Sequence, residues 1–165
     1  MSDKLDGMDL AAKVQYLLDR AAIEELFVRY YSGLGSGDPD AFGGFFTQEC
    51  ELDVNGIICR NTEEIRKLYA DVQEDKPNLT GTFRMQLTNL LIEIDGDTAK
   101  AQMLWTQQIN ETIKGPPRFI EQGREYNALV KQNGRWKIKR RVVIADSNLP
   151  DMMDATYEPR KDFAL

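Results

Sequence analysis

The spacing of apolar positions changes once along this chain, from a period near 3.6 in the first half to a period of 2 in the second. Ile23, Leu26, Phe27, Tyr30 and Leu34 recur at helical spacing with charged residues between them, which predicts an amphipathic helix. Asp19 is placed to cap it and Gly33, Gly35 and Gly37 to end it, giving a span of 19–34. A shorter helical stretch from about Leu10 to Leu18 precedes it. Asp38-Pro39 reads as N-cap and first position of a short helix over 39–46 that buries Phe42, Phe45 and Phe46. Cys50–Val54 and Ile57–Arg60 flank Asn55-Gly56, a two-residue hairpin signal. Asn61 and Glu64 have capping-box spacing ahead of a helix over 62–72 that buries Ile65, Leu68, Tyr69 and Val72. QEDKPN at 73–78 then breaks to a loop.

From residue 82 onward four strands follow, joined at Asp95-Gly96-Asp97, Gly115-Pro116-Pro117 and Asn133-Gly134. This half is predicted to be an antiparallel meander. Pairing about the first turn sets Phe83, Met85 and Leu87 opposite Ile109, Gln107 and Trp105, all on one face. A tight turn at the prolines would put Glu125 beside Gln107 and Asn127 beside Trp105. Three polar groups then converge among aromatics and a methionine, which has the character of a ligand pocket. On the opposite, convex side Leu90, Ile92 and Val130 are expected to need cover. Tyr30 and Tyr31 close the long helix near the same region. Each has an ordinary explanation as a core tyrosine, as Glu125 has as an outward, solvated carboxylate and Met85 as core filler.

Composition narrows the functional classes. One domain over 1–165 is the expectation for 165 residues, with a core from about 10 to 146 and an irregular tail over 147–165. At 42% hydrophobic and 29% charged the chain has the makings of a core. A net charge of −6 provides no basic excess, so neither nucleic acid nor an anionic membrane is an expected partner. No long apolar run and no secretory leader are visible, which points to the cytoplasm. Cys50 and Cys59 read as buried free thiols rather than a disulfide or zinc site. Histidine is absent altogether, which removes imidazole from catalysis and from metal ligation. With no nucleotide-binding or zincin motif either, neither a cofactor nor a metal is expected.

The order helix, short helix, hairpin, helix, long strands resembles the SnoaL-like branch of the nuclear-transport-factor-2-like superfamily. DRAAIEELFVRYYSGLGSGDPDAFGGFFT is similar to that family's opening helix and turn, GTFRMQLTNLLIEIDGDTAKA to its central hairpin and GREYNALVKQNGRWKIKRR to its last one. The resemblance covers 19–146 and implies an α+β cone, a curved, mostly antiparallel sheet with helices closing its concave face. Relatives such as scytalone dehydratase and hexachlorocyclohexane dehydrochlorinase bind apolar small molecules in the cone and eliminate with an Asp-His pair. Here Gly35 and Met85 stand at those positions, and neither can accept a proton. Tyr30 matches a position that holds a catalytic tyrosine or lysine in relatives, Glu125 a pocket-wall residue and Arg141 a pocket arginine. Simple alternation after Asn133-Gly134 would instead turn Arg140 inward; a bulge, common beside such sites, would favour Arg141.

What the resemblance implies is therefore a cofactor-independent lyase acting on a hydrophobic aromatic substrate, with Tyr30, Glu125 and Arg141 as catalytic residues. Tyr31, Phe46, Leu52, Met85, Trp105, Gln107 and Asn127 would line its pocket. The sharpest version is a lyase that releases formaldehyde from a lignin-derived diarylpropane diol. Two alternatives stand beside it: a small-molecule binding protein that lost catalysis with the Asp-His pair, or a dehydratase or isomerase with a relocated acid-base pair. An assembly domain whose cone is filled by its own side chains is a third class. A homo-oligomer, dimer or trimer, is expected in each case.

Overall fold

The computed structural model describes residues 2–33, 42–74 and 82–147. Along them run helix α1 (Ser2–Leu5), the long helix α2 (Leu10–Gly33), one 3-10 turn (Gly43–Phe45), strands β1 (Phe46–Val54) and β2 (Ile57–Asn61), and helix α3 (Thr62–Glu74). Strands β3 (Thr82–Asp95), β4 (Thr98–Asn110), β5 (Arg118–Gln132) and β6 (Arg135–Ser147) complete the chain order. The strands make one mixed, curved, unclosed sheet in the order β2-β1-β6-β5-β4-β3. β1 lies parallel to β6 and every other neighbouring pair is antiparallel. The core fills the space between α2, α3 and the concave face, centred on Ile23, Phe27, Leu52, Ile65, Ile92, Leu129 and Ile138. This is the expected α+β class.

The break expected at Asp19 does not occur. α2 starts at Leu10, where Asp9 Oδ1 accepts the Ala12 amide at 2.8 Å as an N-cap, so the stretch from Leu10 to Leu18 and the main helix are continuous. Asp19 instead lies mid-helix on the buried stripe of Tyr16, Ile23, Leu26, Phe27 and Tyr30. It looked like a cap because a lone aspartate in a helical pattern has that local meaning; its partners come from the sheet. Trp136 Nε1 donates to it at 2.9 Å and Lys131 Nζ pairs with it at 2.6 Å.

A second correction concerns the short helix over 39–46. Its Asp38-Pro39 start lies outside the described residues, and from Phe42 the chain makes a single 3-10 turn before entering β1 at Phe46. Gly43 and Gly44 are poor helix formers, so nothing carries a helix across them. The hairpin at Asn55-Gly56 is as expected, with both residues left-handed at φ 52° and 93°, as a type I′ turn requires. So is the α3 cap: the Glu64 amide donates to Asn61 Oδ1 at 2.9 Å while Glu64 Oε2 accepts from the Arg60 amide at 2.7 Å.

The expected β3–β4 register is observed, with Phe83, Met85 and Leu87 opposite Ile109, Gln107 and Trp105. Beyond it Asn89, left-handed at φ 54°, sits in a bulge between Thr88 and Leu91 that reverses the facing of the remaining strand. Ile92 is therefore in the core and Leu90 packs against it, contrary to their expected place on the convex side. The β4–β5 register also differs from the expected one. Glu125 pairs with Met103, Asn127 with Ala101, Trp105 with Gly123 and Gln107 with Glu121. The chain reverses before the prolines, with the Gly115 amide donating to Thr112 O at 3.4 Å, so the pivot is displaced from Pro116 toward Lys114. The resulting slip is even, and the residues keep the predicted face.

Candidate functional site

Alternation along β5 turns Glu121, Gly123, Glu125, Asn127 and Leu129 toward the concave side. On β6 a bulge intervenes: Asn127 pairs with Arg141, yet Leu129 pairs with Ile138. The extra residue lets both Ile138 and Arg141 point inward, while Arg140 points away and binds Glu51 at 2.8 Å. Arg141 is thus the inward arginine, against simple alternation.

Arg141, Glu125 and Asn127 are each 0% exposed. Arg141 Nε donates to Asn127 Oδ1 at 2.8 Å, Asn127 Nδ2 donates to Glu125 Oε1 at 2.8 Å, and Arg141 Nη2 lies 3.0 Å from that same Oε1. Tyr31 reaches in from α2 and donates its hydroxyl to Glu125 Oε2. The Tyr30 ring lies against the guanidinium, 3.8 Å from Cζ to centroid, a cation–π contact in a dry setting. Phe27 and Phe46 rings flank the same group at 5.7 and 5.9 Å. Neither Nη1 nor Nη2 finds an aligned hydrogen-bond acceptor among the described residues. A buried guanidinium with unsatisfied donors is the arrangement that accepts an oxyanion at least cost.

Burial raises the pKa of Glu125 against the lowering pull of Arg141 and Asn127. Its proton is therefore held to higher pH than an ordinary glutamate holds it. Burial works against the charge of Arg141, but Glu125 and the hydroxyls of Tyr30 and Tyr69 outweigh it and the guanidinium remains charged. Tyr30 is pushed well above the usual phenol range, first by burial and then by Tyr69. The Tyr30 hydroxyl is engaged with the Tyr69 hydroxyl, so its share in the site is the face of its ring.

The remaining expected residues divide into two groups. Leu52 pairs with Arg141 across β1–β6 and is fully buried, and Phe46 packs edge-on to Tyr30. Met85, Gln107 and Trp105 are on the same face but nearer the other end of β5, Gln107 beside Glu121 and Trp105 beside Gly123. Trp105 Nε1 donates to Arg124 O at 3.3 Å. A Cβ on Gly123 would fall 2.6 Å from the Trp105 ring and 2.0 Å from Ile144 O, so glycine here is what admits the indole. Gly35 lies outside the described residues. Cys50 and Cys59 are free and buried, and burial raises both thiol pKa values, so neither is an activated nucleophile.

Sequence reasoning did not single out two residues of this face. Tyr69 was assigned to the core of α3 and also meets Tyr30. Glu121 was overlooked, although its separation from Glu125 puts both on one face of a strand, which was the available signal. Burial raises its pKa to about 7.

Comparison with known proteins agrees with this architecture. The SnoaL-like domain profile matches residues 15–142, and the chain belongs to that family. Among solved structures, a Mycobacterium tuberculosis protein described as of unknown function superposes with TM-score 0.70 at 23% identity, over 85% of this chain and 78% of that one. A scytalone dehydratase-like protein from Novosphingobium aromaticivorans gives TM-score 0.68 at 18% identity, over 84% and 92%. A further protein of that organism, described as NTF2-like with a cystatin-like fold, gives 0.67 at 23%, over 83% and 90%. No curated protein sequence matches the chain. Among the described residues no helix is long and apolar enough to cross a membrane.

Proposed function

We propose that this protein is a cofactor-independent lyase acting on a phenolic small molecule on the concave face, the sharpest candidate being a diarylpropane diol. The observation that carries the reading is the buried Arg141–Glu125 pair, a cation with unsatisfied donors beside a carboxyl group whose pKa burial raises. Arg141 would stabilise the phenolate. Glu125, protonated, would give its proton to the benzylic hydroxyl as that C–O bond breaks, producing water and a quinone methide. Glu125, now ionised, would take the proton of the terminal hydroxyl; the carbon–carbon electron pair returns to the quinone methide, formaldehyde leaves, and a hydroxystilbene remains. Tyr31 would hold Glu125 in place. Tyr30, expected to bind a substrate hydroxyl, would act through its ring on Arg141.

The test is turnover of a panel of phenolic diarylpropane diols without added cofactor or metal, followed by formaldehyde and stilbene release. Release of both in equal amounts supports the reading. Binding of these compounds without turnover would support a binding protein instead. Absence of both binding and turnover would overturn both.

Self-association is also part of this reading. Leu91 and Leu104 are 48% and 40% exposed on the convex face, and cover by a second copy accounts for them. Light scattering should give a multiple of 18.9 kDa; the monomer mass at micromolar concentration would contradict it.

A further inference from the structure

Two polar stations lie on the concave face of β5 with the buried Trp105 indole between them. Glu125, with Arg141, forms the first. Glu121 lies four residues away on the same face, about 13 Å along the strand, and the cross-strand partners are Gln107 for Glu121, Trp105 for Gly123 and Met103 for Glu125. The order along the two strands is carboxylate with amide, indole over glycine, then the buried ion pair. Glu121 and Gln107 are half-buried, and neither side chain has a hydrogen-bond or ion-pair partner among the described residues. They contrast with Asn127 and Glu125, whose polar groups are occupied by each other, Arg141 and Tyr31. A β-bulge between Gln107 and Gln108 adjoins the pair, the kind of irregularity that re-aims side chains at sites.

We propose that Glu121 and Gln107 form a second binding station, which selects substrates carrying a hydroxyl at the end remote from the Arg141–Glu125 centre. This rests on the reading of the concave face as a site for phenols and specifies the substrate class further: two polar ends joined by an aromatic body that lies against Trp105. Glu121 would accept the remote hydroxyl's hydrogen bond and Gln107 would bind its oxygen through Nε2–H. The raised pKa of Glu121 agrees with a carboxyl already largely withdrawn from water. Glu121 is thereby a specificity-determining residue, and bond cleavage remains with the first station.

The experiment is calorimetric titration of the full chain with trans-4,4′-dihydroxystilbene and with trans-4-hydroxystilbene, neither of which can be cleaved. At pH 8.5, above the Glu121 pKa of about 7, a hydrogen bond to the ionised carboxylate predicts that the wild type prefers the dihydroxy compound by about tenfold or more. Glu121→Ala should bring the two affinities within about threefold of each other, and Gln107→Leu, which keeps the Glu121 backbone site unaltered, should reduce the preference by a smaller factor. Circular dichroism of each variant establishes that it is folded. Equal wild-type affinities, or a preference that survives both folded variants, overturn the second station while leaving the phenol site intact. Failure of both compounds to bind the wild type overturns the phenol site and the station together.

Discussion

Two buried carboxylates tie α2 to the sheet, and they do so with opposite electrostatic outcomes. Asp19, inside α2, meets Lys131 at 2.6 Å, Trp136 Nε1 at 2.9 Å and Gln15 Nε2 at 3.1 Å. Burial pushes its pKa up, but those donors outweigh burial and hold it below the usual value. Glu125, on β5, meets Arg141, Asn127 and Tyr31, yet there burial wins and the pKa is raised. Asp19 is ionised and saturated, a clamp. Glu125 holds its proton to higher pH than a free glutamate does, beside a cation that still has donors to offer. The difference follows the depth of burial, 8% exposure for Asp19 against 0% for Glu125, weighed against the donors each acid meets.

The strongest way to break the comparison is Arg141→Met. It leaves Glu125 buried without its cation, and removing one partner of a buried pair costs about 3–5 kcal/mol; urea denaturation should show that loss, together with loss of turnover. Glu125→Gln keeps the side-chain shape but leaves the Arg141 cation without its counter-charge, so it should cost a comparable amount of stability and lower the rate of the folded protein by on the order of 10²-fold or more. Gly123→Ala should destabilise by about 1–3 kcal/mol, since the new methyl must displace the Trp105 ring and the Ile144 carbonyl. Its melting temperature and Trp fluorescence should move together.

Asp19→Asn sharpens the contrast from the other side. It should cost about 1–3 kcal/mol through the lost charge-assisted bonds to Lys131 and Trp136, while turnover of the folded protein stays within a few-fold of the parent. The sign of the pH dependence separates the two kinds of acid. A depressed pKa means that the Asp19 contribution is present above its unfolded value near 3.8 and is lost as pH falls through the still lower folded value. Glu121, raised from 4.5 to about 7 by burial, binds its proton more tightly in the folded state. Stability should therefore fall as pH rises between those values, by on the order of 1 kcal/mol or more. Thermal melts of Glu121→Gln across that range should be flatter than those of the parent.

Local signals carried much of the fold. Asn55-Gly56, the Asn61–Glu64 cap and the Asp95-Gly96-Asp97 register each depend on residues close in sequence, and each stands in the structure as read. The misreadings share another cause. Asp19 reads locally as a cap because its partners, Lys131 and Trp136, are more than a hundred residues distant. The turn before Pro116 and the bulge at Asn89 alter register by amounts that alternation does not encode, so Glu125 was matched with Gln107 and Ile92 was put on the wrong face. At the site, Arg141 came from family resemblance and not from periodicity, because one extra residue on β6 undoes the alternation. Glu121 was legible by alternation from Glu125, yet nothing local distinguishes a half-buried glutamate on a strand from a solvated one.

The central claim is that Glu125, and not the other buried acid Asp19, carries the chemistry. The most direct measurement is formaldehyde release from a phenolic diarylpropane diol by the parent, Glu125→Gln and Asp19→Asn, each shown to be folded under the assay conditions. The account predicts a loss on the order of 10²-fold or more for Glu125→Gln and no more than a few-fold for Asp19→Asn. Equal rates for Glu125→Gln and the parent would contradict it.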